Sequence, residues 1–450
     1  MERILDSLDK LGADFASVRR EDSRKLTLFV TDKIERISEN DHDVGYMIKP
    51  LVNGSYNYKT ISWEPTFADL QEAIRANPKH GNETVPEIKP EKAVINLTPK
   101  GSGLEKSIEE KLQDIKGLKQ ALLNYDKRIK HISLAYAEVH TNKVYADSLG
   151  SLVVQSFPLS LFEIEVVAKS GKEIATATSN KSTNQGYVFD FFDRDKFLQG
   201  VQEAVTSQLK GAFPKSGEYE VVLAPAALGT FVHEAFGHLA EADLAKTGIL
   251  YQHIGGKIAD SSVSISDYPT LPHTFSGCFA EYDDEGIKGR KAEILKNGKV
   301  NELMTNIHFA NELGTKPTGN ALAESSRDRT LVRMRNTYME IGDATADELI
   351  SNVKNGYLII SAPCGSTTSE GTFQFGIVEA YRIEKGTVME GVKRGVSISG
   401  STLDTLSKIT GVSKEFDVDS GVCTKCNQSV HISTGGPYAK IDKIKVGGNA

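Results

Sequence analysis

Residues 233–238 read His-Glu-Ala-Phe-Gly-His. Two imidazoles bracket a carboxylate that directly follows the first of them, which is the donor arrangement of a hydrolytic metal site. Neutral His233 and His238 would hold a zinc ion. Glu234 would take a proton from the attacking water as general base and return it to the leaving amine. Bound Zn2+ lowers the pKa of its water to about 7, which makes hydroxide available at neutral pH. In the common zinc-peptidase spacing the histidines lie four apart on one helical face, whereas here they lie five apart. At about 100° per residue, five steps leave the two rings about 140° apart, too far round a regular helix to share an ion. A π-type turn, with its i→i+5 period, realigns them, and Gly237 lowers the steric cost of such a distortion. The spacing therefore predicts a π-turn between His233 and His238. A straight α-helix through both would exclude a shared metal.

Catalytic zinc takes three protein ligands and a water, so a third donor is needed. Cys423 and Cys426, in Gly-Val-Cys-Thr-Lys-Cys-Asn-Gln, occupy a segment that reads as turn-rich. Glu241, Asp243, His253, His273 and Glu281 lie nearer in sequence. Thiolate is a strong zinc ligand, so either cysteine is at least as good a candidate as a carboxylate. Cys278 and Cys364 read as core residues. His253, His273, His308 and His431 read as surface or hydrogen-bonding histidines, and Asp283-Asp284-Glu285 reads as a solvated turn. No phosphate-binding glycine loop occurs, and Gly395–Ser399 lacks the last glycine of a serine-nucleophile elbow.

The elements that must position these groups fall into an α+β pattern. A helix over residues 1–13 precedes short strands at Phe15–Arg19, Leu26–Val30 and Val44–Leu51. Asn53-Gly54 then turns the chain into a returning strand, Tyr56–Ser62. A helix at Phe67–Ala76 closes at Asn77-Pro78, and residues 78–102 form an exposed connector. An amphipathic helix, Leu104–Tyr125, carries Leu112, Ile115, Leu118, Leu122 and Leu123 on its stripe. A meander from His131 to Val167, with turns at Asn142 and Gly150, leads to a second long helix, Arg194–Phe213. Pro214-Lys215-Ser216-Gly217 marks the boundary between an N-terminal mixed α/β domain, 1–215, and a C-terminal domain, 216–450. The second carries the histidine helix near 226–245 and a curved, barrel-like antiparallel sheet of short strands with glycine turns.

Composition narrows the class further. The 450 residues carry 53 basic and 60 acidic side chains, a net charge of −7, which disfavours nucleic-acid binding. No run approaches the roughly 18 apolar residues of a membrane helix. The acidic N-terminal segment lacks the apolar stretch of a signal peptide. Four cysteines are too few for a disulfide framework and fit a reducing, cytoplasmic location.

HEAFGHLAEAD resembles the signature of the TldD/PmbA family of zinc peptidases. GADFASVR, VGYMIKPLVNGSYNYKTIS, Arg333-Met334-Arg335-Asn336-Thr337, FQFGIVEAYRI, Ser399-Gly400-Ser401 and CTKCNQ follow in family order. The resemblance thus spans nearly the whole chain. It implies a Zn2+ ion on His233, His238 and Cys423, with Glu234 as catalytic acid/base. The family's cysteine stands in a C-G-K-x-G-Q pattern. Here Thr424 stands where the first glycine is usual, and Cys426 places another thiol near the metal. PmbA-type members lack the metal motif, so this chain resembles the TldD-type half. The resemblance further implies cleavage of unfolded or short peptides in an enclosed cavity, by a homodimer or a heterodimer with a PmbA-type (TldE) subunit. The H-E-x-x-G-H spacing also occurs in the type-three dipeptidyl peptidases, where a downstream glutamate, here Glu281 or Glu285, would complete the site. A different class of function is a non-enzymatic binding or scaffold subunit with a structural zinc, closed by four ligands including Cys426.

Overall fold

The structure is a computed structural model. It describes all residues except 76–79, 272, 274, 393, 394, 449 and 450, with the Asn40 and Cys364 side chains also outside it. The fold is α+β, built on two large sheets. The first has eight strands and draws them from residues 15–183. Phe15–Val30 and Glu35–Val52 form a long antiparallel pair, and the first of these also pairs with Ile129–Asp147. The two short runs expected at 15–19 and 26–30 are therefore one strand, with a register shift between Lys25 and Thr27. Asn53 and Gly54, at φ of 51° and 73°, make the expected tight turn. Asn142 is no turn: it lies inside a strand, opposite Asp22 and Ser156. Lys92–Asn96, within the expected connector, joins the sheet parallel to Leu152–Ser156.

Helices Ile108–Tyr125 and Arg194–Lys210 bury their apolar stripes on this sheet, with Ile115, Leu118, Leu122 and Val205 against Leu28, Leu134, Tyr136 and Phe162. Ser107 and Glu110 form a reciprocal capping box that starts the first of these helices. The Phe67–Arg75 helix is formed, while its expected closure at Asn77-Pro78 lies outside the described residues.

The second sheet has thirteen strands from residues 217–448. It is antiparallel except where Asn336–Met339 runs parallel to Gln428–Gly448 and Asn355–Ser361 runs parallel to Gly217–Leu223. The expected stretch Gly376–Glu384 divides into Thr372–Ile377 and Glu379–Glu384. Gln428–Gly448 changes partners along its length, from Ile409–Lys425 and Asn336–Met339 to Gly217–Leu223 and Val396–Ser401. A strand of 21 residues that passes between four neighbours must coil, and the sheet curls into a half-barrel. Its core is filled by Leu228, Phe231, Val232 and Phe236 from the histidine segment.

The Asp283–Glu285 segment is not solvated. All three residues are buried, because counter-charges from the first sheet meet them. Lys143 reaches Asp284 at 2.9 Å and Lys49 reaches Glu285 at 3.1 Å. Asp283 accepts backbone N–H groups of Glu285, Ile287 and Ala321. Among the described residues, no helix is long and apolar enough to cross a membrane.

Candidate metal centre

The strand Gly217–Leu223 delivers the chain into a short α-helix, Pro225–Thr230, with proline in its first turn. The next turn, Phe231–Gly237, is π-helical, as the five-residue spacing requires. The backbone N–H of His238 donates to the carbonyl of His233, so one i→i−5 bond ties the two histidines together. The distortion frees carbonyls, and that of Ala235 accepts from Thr402 Oγ1 at 2.8 Å. A 3-10 turn, His238–Ala240, follows, and the chain leaves helical geometry at Glu241 before a last short helix, Ala242–Ala245. The single helix expected over 226–245 is thus four pieces. Gly237 has ordinary helical angles, φ −59° and ψ −48°, so backbone freedom is not what it provides. It is small because Met334 lies against it: a Cβ would stand 2.1 Å from Met334 Sδ.

The thiol arrives on a different element. Ile409–Lys425 and Gln428–Gly448 form a hairpin joined by Cys426-Asn427, both with positive φ. Cys423 lies in the strand, buried, and Cys426 is exposed in the turn. Ligand atoms of His233, His238 and Cys423 all lie within 4.8 Å of one another, and among the described residues this is the group that could hold a metal ion. Cys423 Sγ is 3.5 Å from His238 Nε2. The two imidazole rings are 4.9 Å apart and close to perpendicular.

Burial holds the pKa of His233 well below 6.5, with His238 and Arg333 adding repulsion, so its imidazole is neutral. Its Nδ1 is buried without a hydrogen-bond partner, a cost of about 1–3 kcal/mol that a ligand would remove. At His238 burial opposes protonation, but hydrogen bonds to Cys423 and Glu241 outweigh it and raise the ring to about 10. An incoming ion must displace that proton. Two nitrogens and a sulfur are zinc's preferred donors, so the residues present fit a metal ion. Glu234 stands beside this set, with Oε2 4.0 Å from His238 Nε2 and its side chain 34% exposed. Burial raises its pKa, which makes it a better proton acceptor near neutrality.

The other expected donors go elsewhere. Glu241 takes the outer nitrogen of His238, with Nδ1 donating to Oε2 at 2.9 Å. Asp243 accepts from Lys425 at 2.8 Å. Glu285 pairs with Lys49, and His253, His273 and Glu281 are outside the group. Cys278 is in the core, beside Cys423, Val430 and Ile432. Sequence reasoning assigned no role to Lys425 or Arg333. Arg333 is fully buried and donates to the carbonyls of Cys423 and Gln428, which clamps the hairpin from behind. Both lie in segments that carry the family resemblance, but nothing local in sequence shows what either one holds.

A π-turn thus brings two histidines and a carboxylate up to a hairpin thiol, a donor set that could hold a metal ion. Comparison with known proteins places the chain in a family. A family model for the PmbA/TldA metallopeptidase C-terminal domain matches residues 216–448, and one for the central domain matches 101–210. The chain belongs to the PmbA/TldD family of metallopeptidases. It is similar to a zinc metalloprotease TldD homolog of Saccharolobus solfataricus, 38% identical over 100% of both chains. It is also similar to a metalloprotease of Methanothermobacter thermautotrophicus, 30% identical over 99% of this chain and 97% of the other. The crystal structure of TldE from Thermococcus kodakarensis shares the fold, with a TM-score of 0.78 and 19% identity over 100% of both chains.

Proposed function

We propose that the chain is a zinc peptidase of the TldD type that hydrolyses unfolded or short peptides. His233, His238 and Cys423 hold the ion, and Glu234 is the catalytic acid/base. The observation that carries this reading is the convergence of those three ligand atoms within 4.8 Å, beside a carboxylate whose pKa burial has raised. Zinc, when bound, polarises the scissile carbonyl and brings hydroxide within reach of neutral pH. Glu234 takes the proton from the attacking water and hands it to the leaving amine. Its partly open side chain allows that traffic. His233, neutral and buried, needs no deprotonation to bind.

Three donors leave one position free for water and substrate, whereas a structural site would be closed by four. Cys426, exposed in its turn, does not join the group, which favours the enzyme over the scaffold reading. The Ile409–Lys425 strand that carries Cys423 pairs only with Gln428–Gly448 among the described strands. Between Lys414, where Gly342 and Ala344 already hydrogen-bond to the strand, and Cys423, whose carbonyl Arg333 takes, its other edge suits an extended peptide held by main-chain hydrogen bonds, with weak sequence preference. We assign residues 1–215 and 216–450 to two domains, with the centre in the second. A TldE relative sharing the fold supports a PmbA-type subunit as partner, with a homodimer as the other arrangement. Free thiols suit a cytoplasmic setting.

The test is Glu234→Ala, assayed on an unstructured peptide alongside metal analysis of the wild type and of Cys423→Ala. Cleavage should disappear in Glu234→Ala with zinc still bound, and zinc should fall away in Cys423→Ala. Peptide hydrolysis surviving in Glu234→Ala would refute the assignment.

A further inference from the structure

We propose that Glu241 and Lys425 are positioning residues that set the metal centre before any ion arrives. Glu241 selects which nitrogen of His238 faces the thiol, and Lys425 fastens that carboxylate to the hairpin carrying Cys423. This rests on the reading of His233, His238 and Cys423 as metal ligands.

Glu241 is fully buried. Its Oε2 accepts from His238 Nδ1 at 2.9 Å and from Lys425 Nζ at 3.1 Å, and its Oε1 accepts from the backbone N–H of Met334 at 3.1 Å. With the Nδ1 proton committed to a carboxylate, the lone pair of a neutral His238 must sit on Nε2. That is the nitrogen 3.5 Å from Cys423 Sγ. A carboxylate on the far side of a liganding imidazole fixes both ring orientation and tautomer.

Lys425 completes the arrangement. Its ammonium has three protons and meets three acceptors: Glu241 Oε2 at 3.1 Å, Asp243 Oδ1 at 2.8 Å and the carbonyl of Val332 at 2.9 Å. Lys425 and Cys423 are two residues apart in one strand, so their side chains leave the same face. Docking the ammonium on Glu241 therefore also sets the thiol opposite His238. Lys425 pairs with Gln428 across the two-residue turn, so the contact pins the hairpin tip itself. Residues 332–334 serve both sides: Val332 accepts from Lys425, Arg333 donates to Cys423 and Gln428, and Met334 donates to Glu241. A buried ion pair adds little stability over apolar residues of the same size, and a ligand-aligning role gives this one a function.

The experiment measures zinc affinity by chelator competition, with thermal unfolding in parallel, on the full chain. Glu241→Gln and Lys425→Gln should each weaken zinc binding about 10- to 100-fold. The double variant should be no more than about threefold weaker than the worse single one, because the two act as a unit. Leu118→Ala, a core truncation in the first sheet, lowers stability without touching the centre and should leave affinity within about threefold. If Glu241→Gln does not fold, Lys425→Gln carries the same expectation. Affinities within threefold of wild type, or an equal loss in Leu118→Ala, would overturn the proposal. Wild-type chain that binds no zinc, or His233→Ala that binds it unchanged, would instead overturn the underlying metal assignment.

Discussion

Gly237→Ala sets two physical effects against each other. The glycine has right-handed helical angles, so by propensity alone alanine should stabilise the segment by about 0.8–1 kcal/mol. Packing points the other way. The added methyl would stand 2.1 Å from Met334 Sδ, 3.1 Å from the Val232 carbonyl and 3.2 Å from Met334 Cε. Ordinary contact needs about 3.5–4.0 Å, so the sulfur must retreat by more than 1 Å, and Met334 is only 1% exposed. Overpacking of this kind costs about 1–3 kcal/mol, which exceeds or cancels the propensity gain. The net expectation is a loss of about 0–2 kcal/mol, together with weaker zinc binding, because the Met334 backbone also donates to Glu241. Denaturant unfolding followed by circular dichroism measures the first and chelator competition the second. A decisive comparison adds the same methyl to Met334→Ala. With the sulfur gone, the clash disappears, and the double variant should be at least as stable as Met334→Ala. A Gly237→Ala chain more stable than wild type would refute the packing argument, as would an undiminished penalty in the Met334→Ala background.

Cys426→Ser should retain one zinc per chain and wild-type affinity, since that thiol is exposed in its turn; zinc loss on metal analysis would make it a ligand. Glu379 is raised from 4.5 to about 7, mainly by burial, with Glu203 adding repulsion. Between those two values the folded chain keeps a proton that the unfolded chain has released, so this group's contribution is complete below pH 4.5 and is lost as pH rises through 7, by at most about 3 kcal/mol. Glu379→Gln should flatten urea midpoints over that interval relative to wild type; parallel profiles would contradict it. Arg335 and Asp267 form a buried pair at 2.7 Å with no exposure of either side chain. Arg335→Met, which leaves the carboxylate uncompensated, should lower unfolding free energy by about 3–5 kcal/mol, and a change below 1 kcal/mol in denaturant titrations would count against that pairing.

What the sequence revealed about this site was local. Five residues between two histidines demand a π-turn if both are to bind one ion, and that turn is formed with a single backbone bond between them. Repeating apolar stripes mark the two long helices, and Asn53-Gly54 marks a tight turn. The misses share a physical origin in partners distant along the chain. Asp283–Glu285 looks like a solvated turn until Lys49 and Lys143 are brought to it by another sheet. Glu241 was one candidate metal donor among several because nothing near it in sequence announces Lys425. The glycine at 237 was read as a backbone device, and its cause is a methionine 97 positions later. Ser107 and Glu110, three residues apart, carry a capping box whose signal is local and legible in the sequence.

The strand Gln428–Gly448 lies in the middle of the second sheet, with partners on both sides, yet it is the last of the described strands in sequence order. During synthesis, the half-barrel cannot close around the histidine segment until this piece has left the ribosome and threaded between neighbours made up to two hundred residues earlier. Its hairpin mate carries Cys423, so on the metal assignment proposed above a nascent or shortened chain has the two imidazoles but not the thiol that completes the set.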